Sequence, residues 1–263
     1  MVRVKAKIAY DGTSFYGWQI QKNYPSIQST IEGVLQKIYR KPVEVTGAGR
    51  TDSGVHAFEQ VAHFDWEHSL ELDRLILAVN GNLPPAIRVL SLQEATRDFH
   101  ARFDARSKVY LYRINRNRIT DPFSYPYSLH CRHSLDLELL RSCAKIIEGE
   151  HDFAAFQAAG TDIVKTVRTV FSVEVSPAGG PQATPLLEIP ESNFLYVRIH
   201  ANGFLRKMVR FVVGTLIEIA SSRRPLEDLA RALETGERQY VGIPAPARGL
   251  FLEKVYYLDS RNQ

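Results

Sequence analysis

Residues 27–39 read IQSTIEGVLQKIY. Ile27, Ile31, Val34, Leu35 and Ile38 recur at the spacing of one helical face. The preceding stretch VRVKAKIAY (2–10) alternates polar and apolar residues, as a half-buried strand does. Beyond the helix, FEQVAHFDW (58–66) alternates again, with Ala62, Phe64 and Trp66 on one face. LDRLILAVNGNLP (72–84) reads as a helix ended by Asn-Gly and Pro, and AIRVLSLQEA (86–95) as a strand. The second half repeats the outline. A strand KVYLYRIN (108–115) is followed by a helix DLELLRSCAKIIEG (136–149), with Gly149 as its C-cap. Strands follow at 167–175 and 194–201. A long apolar helix at about 203–221 comes next, then a helix at 227–236 and a last strand GLFLEKVYYL (249–258). This predicts an α+β protein, a ferredoxin-like outline used twice, with halves at 1–105 and 106–263. The Gly/Pro-rich stretch 176–193 is expected to be a surface loop or hairpin tip.

The composition sets bounds on this reading. Hydrophobic residues are 44% and charged residues 24% of 263, the balance of an ordinary globular protein. No apolar run reaches membrane-spanning length, and MVRVKAKIAY lacks the apolar block of a signal peptide, so a cytoplasmic protein is expected. Cys131 and Cys143 cannot form a disulfide framework and belong to no CxxC pair. The net charge is only +4, but its distribution is uneven. Residues 97–118, RDFHARFDARSKVYLYRINRNR, carry seven Lys/Arg against two Asp, with Tyr110 and Tyr112 among them. Cations for phosphates beside aromatic faces for bases suit an unstacked nucleotide, so this stretch is expected to meet nucleic acid.

The glycine-rich stretch GAGRTDSGVHA (47–57) holds Asp52 two residues after Arg50. It matches neither a Walker loop nor a dinucleotide fingerprint. The residues after Gly54, VHAFEQVAHFDW, are strand-like, so no helix N-terminus is offered to a phosphate. Asp52, His56, His63 and Asp65 are near in sequence but have no standard metal-ligand spacing. Glu59 has no context that would make it the second acid of a two-carboxylate site. A single acid beside a cation remains, able to act as nucleophile or base; the plainer alternative is an Asx-turn. YDGTSFYGWQIQ (10–21), with Phe15, Tyr16 and Trp18, is a long loop able to fold onto a ligand or plug the core. In ANGFLRKMVRFVVGTL (201–216), Asn202 is a good N-cap, which puts Arg206, Lys207 and Arg210 in the first turns, where the helix dipole disfavours cations. An anion nearby, an RNA phosphate or Asp52 itself, would offset that.

Five segments in this order resemble the TruA family of tRNA pseudouridine synthases: YDGTSFYGWQ (10–19), GAGRTDSGVHA (47–57), FHARFDARSKVYLY (99–112), NGFLRKMVR (202–210) and APARGLFLEKVYY (245–257). Ser53 stands where the family more usually has alanine, and 176–193 is long for the family. The resemblance implies the pseudouridine synthase fold, two ferredoxin-like halves whose sheets meet around a central active-site cleft. It implies isomerisation of uridine to pseudouridine in the tRNA anticodon stem-loop, with no cofactor and no metal, by a homodimer. It makes Asp52 the catalytic aspartate, Tyr110 the residue stacking on the target base, and Arg210 the basic partner of the aspartate. Leu250 then lines the pocket, and Arg50 helps to flip out the target nucleotide. A non-catalytic RNA-binding protein, a metal-dependent nuclease using Asp52, Asp65 and Asp104, and a glycosidic hydrolase are the rival readings.

Overall fold

A computed structural model describes residues 1–67, 71–160, 164–177 and 193–258. The chain divides into two compact units, Met1–Lys108 with Phe251–Gln263, and Val109–Leu250. The first unit contains β1 (Val2–Tyr10), α1 (Ile27–Tyr39), β2 (Thr46–Gly47), β3 (His56–Trp66), α2 (Leu72–Asn82) and β4 (Ile87–Ala95). It also holds the start of β5 (Ala105–Asn115) and nearly all of β10 (Leu250–Tyr257). The boundary thus falls inside β5, and the last strand returns to the first unit, whereas the expected division at 105/106 kept it in the second half.

The strand order in the first unit is β4-β1-β3-β10, with β2 also on β3. β1 runs antiparallel to β3 and β4, and β10 runs parallel to β3 through Phe251 opposite His56 and Leu252 opposite Ala57. β2 pairs further along β3, Thr46 opposite His63 and Gly47 opposite Ala62, so β2 and β10 share one edge of β3. The alternation of β1 buries Val4, Ala6, Ile8 and Tyr10. Ala6, Ile8, Phe64 and Val89 come together with Ile31 and Leu35 of α1 and Val79 of α2. Ser26 and Ser29 form a reciprocal capping box at the start of α1, and Arg40, in the left-handed region at φ +63°, closes its end. The Asn80-Gly81 pair does not stop α2. The Asn80 amide instead bonds both backbone groups of Val89, tying the helix to β4.

The second unit contains β6 (Leu129–His130), α3 (Leu137–Ile147), β7 (Gly149–Asp152), β8 (Val167–Pro177), β9 (Phe194–Ala201), α4 (Met208–Ala220) and α5 (Glu227–Thr235). Its order is β5-β9-β8-β7, with β6 parallel to β5. Asp136 caps α3 through the Leu139 N–H, and α3 packs on α4 and β8. Gly149 is not the C-cap of α3: the Glu148 N–H closes the helix on Ala144 O, and Gly149, at φ +110°, turns the chain into β7. Ser176 and Pro177 belong to β8, and the rest of the expected loop, apart from Asn193, lies outside the described residues.

Candidate active site

The loop joining β2 to β3 carries Arg50 and Asp52. Its flanks are bonded to the loop that follows β1. Trp18 N–H donates to Thr51 O (3.1 Å), Gly54 N–H to Phe15 O (3.3 Å), and the Ser53 hydroxyl to the same Phe15 O (3.3 Å). Tyr10 and Thr51 share a hydroxyl bond of 2.8 Å, and Arg50 Nε donates to Gln19 Oε1 at 3.0 Å. Gly17 makes the approach possible: it sits at φ +86°, and a Cβ there would lie 2.5 Å from Thr51 O. Trp18 is 2% exposed, so the 10–21 stretch serves partly as the apolar plug that one reading of the sequence allowed. Asp52 is half-buried and Arg50 exposed, on a loop held on both sides of the carboxylate.

His56 and His63 belong to the frame around this loop. His56 opens β3, buried against the Phe251 ring at 4.7 Å, and its Nδ1 accepts from Gly12 N–H. His63 Nδ1 accepts from Ala101 N–H, and burial pulls its pKa down to about 4. Asp65 is held by Arg3 at 2.8 Å. Among the described residues no three of His, Cys, Asp and Glu gather in a group that could hold a metal ion.

Tyr110, Arg210 and Leu250 lie in the second unit. Arg210 is the third residue of α4, since the helix begins at Met208 and not near 203. Asn202 is not its N-cap: its amide oxygen accepts from Thr169 N–H and its own N–H bonds Thr169 O, fixing it to β8. Lys207, at φ +62°, is the N-cap residue, so Lys207 and Arg210 both stand at the positive end of the helix dipole. Arg210 Nε donates to Ala245 O at 2.7 Å, and Ala245 N–H returns a bond of 2.8 Å to Arg210 O.

The segment around Ala245 lies along α4. Gly242 N–H donates to Thr215 Oγ1 and Ile243 N–H to Glu218 Oε1. Gly214 permits this approach, because a Cβ there would fall 1.8 Å from Ile243 O. The same segment then accepts a bond from the Tyr112 hydroxyl at Pro246 O (2.8 Å) and leads through a short turn to Leu250, which is 5% exposed. Burial pushes the Tyr112 hydroxyl pKa up, against the pull of Arg210 and Arg248. Tyr110 is 8% exposed, with Phe204 meeting its ring edge-on at 5.0 Å.

Within each unit the expected residues other than Tyr110 therefore have a shared support. Arg50 and Asp52 sit on one braced loop, while Arg210 and Leu250 flank a segment anchored on α4 and on Tyr112. Sequence reading missed Tyr112, Phe204 and Ala245 as supports, although all three lie inside or beside the quoted segments.

The profile of a family described as tRNA pseudouridine synthase matches residues 6–104 and 143–258, leaving Tyr110 between its two blocks. A tRNA pseudouridine synthase A of Geobacillus sp. (strain WCH70) is 40% identical over 256 residues, 97% of this chain and 98% of that protein. The protein of the same name from Syntrophotalea carbinolica is 41% identical over 254 residues, 97% and 96% of the two chains. That from Lacticaseibacillus casei is 39% identical over 262 residues, 98% and 100%. With similarity of this depth running from β1 to β10, the chain belongs to the tRNA pseudouridine synthase family.

Proposed function

We propose that this protein isomerises uridine to pseudouridine in the anticodon stem-loop of tRNA, with no cofactor and no metal. The observation that carries the reading is Asp52, one carboxylate on a loop pinned on either side of it. A carboxylate that acts alone suits an isomerisation, which needs neither a second acid nor a water molecule. The two units are read as the ferredoxin-like halves of the pseudouridine synthase fold.

The target uridine first leaves its stack, at a cost of a few kcal/mol, with Arg50 assisting. Tyr110 receives the base, and stacking returns about 1–3 kcal/mol. Asp52 then attacks C1′ or removes the C2′ proton, and the N1–C1′ bond breaks with its electron pair passing to uracil. The base turns and C5 bonds to C1′ as the Asp52–C1′ bond breaks or, on the other route, as Asp52 returns the proton to C2′; the C5 proton is then lost as N1 gains one. Arg210 pairs with Asp52 and holds it anionic, since a lone buried charge is costly. Leu250 keeps water from the reactive sugar. The chain works in the cytoplasm as a homodimer, one tRNA reaching both subunits.

The test is tritium release from tRNA labelled at uracil C5, with EDTA present, for wild type and Asp52→Asn. Release by the wild type alone supports the assignment. Binding without release by either protein would favour a non-catalytic RNA-binding role, and tRNA cleavage that EDTA abolishes, with no tritium release, would favour the nuclease reading.

A further inference from the structure

Beneath the Asp52 loop lies a set of polar side chains that the proposed chemistry does not use. Lys108 of β5 donates from Nζ to Ala48 O at 2.7 Å. Gln60 of β3 donates from Nε2 to Gly49 O at 3.0 Å and reaches the Tyr10 hydroxyl at 3.5 Å. Tyr10 of β1 bonds the Thr51 hydroxyl at 2.8 Å. Three strands thus send one side chain each to residues 48, 49 and 51, just ahead of the aspartate. Tyr10 and Gln60 are buried, at 4% and 0% exposure.

We infer that Lys108, Gln60 and Tyr10 form a cradle that positions the Asp52 loop, and that turnover depends on it. The inference rests on Asp52 being the catalytic carboxylate. A loop with glycine at 47, 49 and 54 is conformationally permissive, so its geometry has to be imposed from outside. The loop backbone already has ordinary bonds on the other side, Ala48 N–H to Val61 O among them. The cradle adds bonds to the carbonyls at 48 and 49, one of them charge-assisted.

Two features of the cradle work against stability. The Gln60 Oε1 atom is buried with no hydrogen-bond partner, which an apolar residue of similar size would avoid. Lys108 places an ammonium group in a mostly buried position, where burial together with the charge of Arg102 brings its pKa down to about 8. Groups that disfavour the fold yet converge on one loop are expected where a site must be held to a fraction of an ångström.

The experiment compares Lys108→Met and Gln60→Leu with wild type and Asp52→Asn, using tritium-release kinetics, tRNA binding and thermal unfolding. Each cradle variant is expected to keep Kd and KM for tRNA within about threefold while kcat falls about tenfold or more, as misplacement of a reacting group does. Gln60→Leu should unfold at the wild-type temperature or above, so its rate loss cannot be a loss of fold. Wild-type kcat in both cradle variants, with Asp52→Asn inactive, would overturn the cradle and leave the functional reading intact. An active Asp52→Asn would overturn the functional reading and the cradle with it.

Discussion

Arg210 and Ala245 bond each other twice, side-chain Nε to Ala245 O at 2.7 Å and Ala245 N–H to Arg210 O at 2.8 Å. One residue thus anchors a chain segment through its backbone and is itself oriented by that segment through its guanidinium. The fork geometry of arginine makes this possible, because a guanidinium has terminal nitrogens as donors besides Nε. Lysine has one nitrogen and cannot serve both directions. Arg210→Lys should therefore lower kcat by about tenfold to a hundredfold although charge is kept. Single-turnover kinetics at saturating enzyme checks this, and a near-wild-type rate would show that charge alone suffices.

Tyr110 meets Phe204 edge-on, a contact that needs the ring and not the hydroxyl. Tyr110→Phe should hold tRNA within about threefold of wild-type Kd, while Tyr110→Ala should weaken it about tenfold, the scale of one base stack. Filter binding at fixed salt separates the two. Equal losses in both variants would argue against a stacking role.

Gly214 has no room for a side chain, its Cβ position lying 1.8 Å from Ile243 O. Gly214→Ala should push the 242–246 segment from α4 and cost about 3 kcal/mol, the upper range for overpacking. Urea unfolding measures the loss. Activity should fall as well, since the displaced segment carries the Ala245 bonds to Arg210.

Lys108 gives a pH dependence of defined sign. Its folded pKa of about 8 lies below the ordinary lysine value of 10.5, so the unfolded chain binds the proton more tightly. Its effect on stability is unfavourable and complete below pH 8, and it is relieved as pH rises from about 8 to 10.5. The charged group acting on it is Arg102, from the turn before β5, and its Nζ bonds Ala48 O on the loop. The unfolding temperature of wild type should rise relative to Lys108→Met across that window, and a constant difference between the two would contradict the buried ammonium.

The elements most legible in the sequence are those whose signal is local. α1 begins and ends where its apolar spacing does, because Ser26 and Ser29 cap its start and Arg40 closes its end. The start of α4 is misread because apolar Phe204 and Leu205 continue a helical pattern that the backbone does not follow. What overrides the pattern is distant in sequence: Thr169 takes both polar groups of Asn202. The lone acid on a glycine-rich loop marks Asp52. Lys108, Gln60 and Tyr10 give no comparable sign, since each looks like an ordinary strand residue until three strands bring them under one loop. The segment 242–246 has no periodicity at all, and its order comes from Arg210, Thr215 and Glu218, spaced along a helix that precedes it.

The return of the last strand to the first unit has a consequence for synthesis on the ribosome. Domains emerging from the ribosome generally fold in order from the N-terminus. Here the first unit cannot complete its sheet until Phe251 and Leu252 are free to pair with His56 and Ala57. Until then the nascent chain carries an open strand edge beside the loop that holds Asp52, the kind of edge that recruits foreign strands. Prematurely terminated chains should accordingly be targets for chaperones and proteases, not weak enzymes, and competence should be gained all at once when the final strand clears the tunnel.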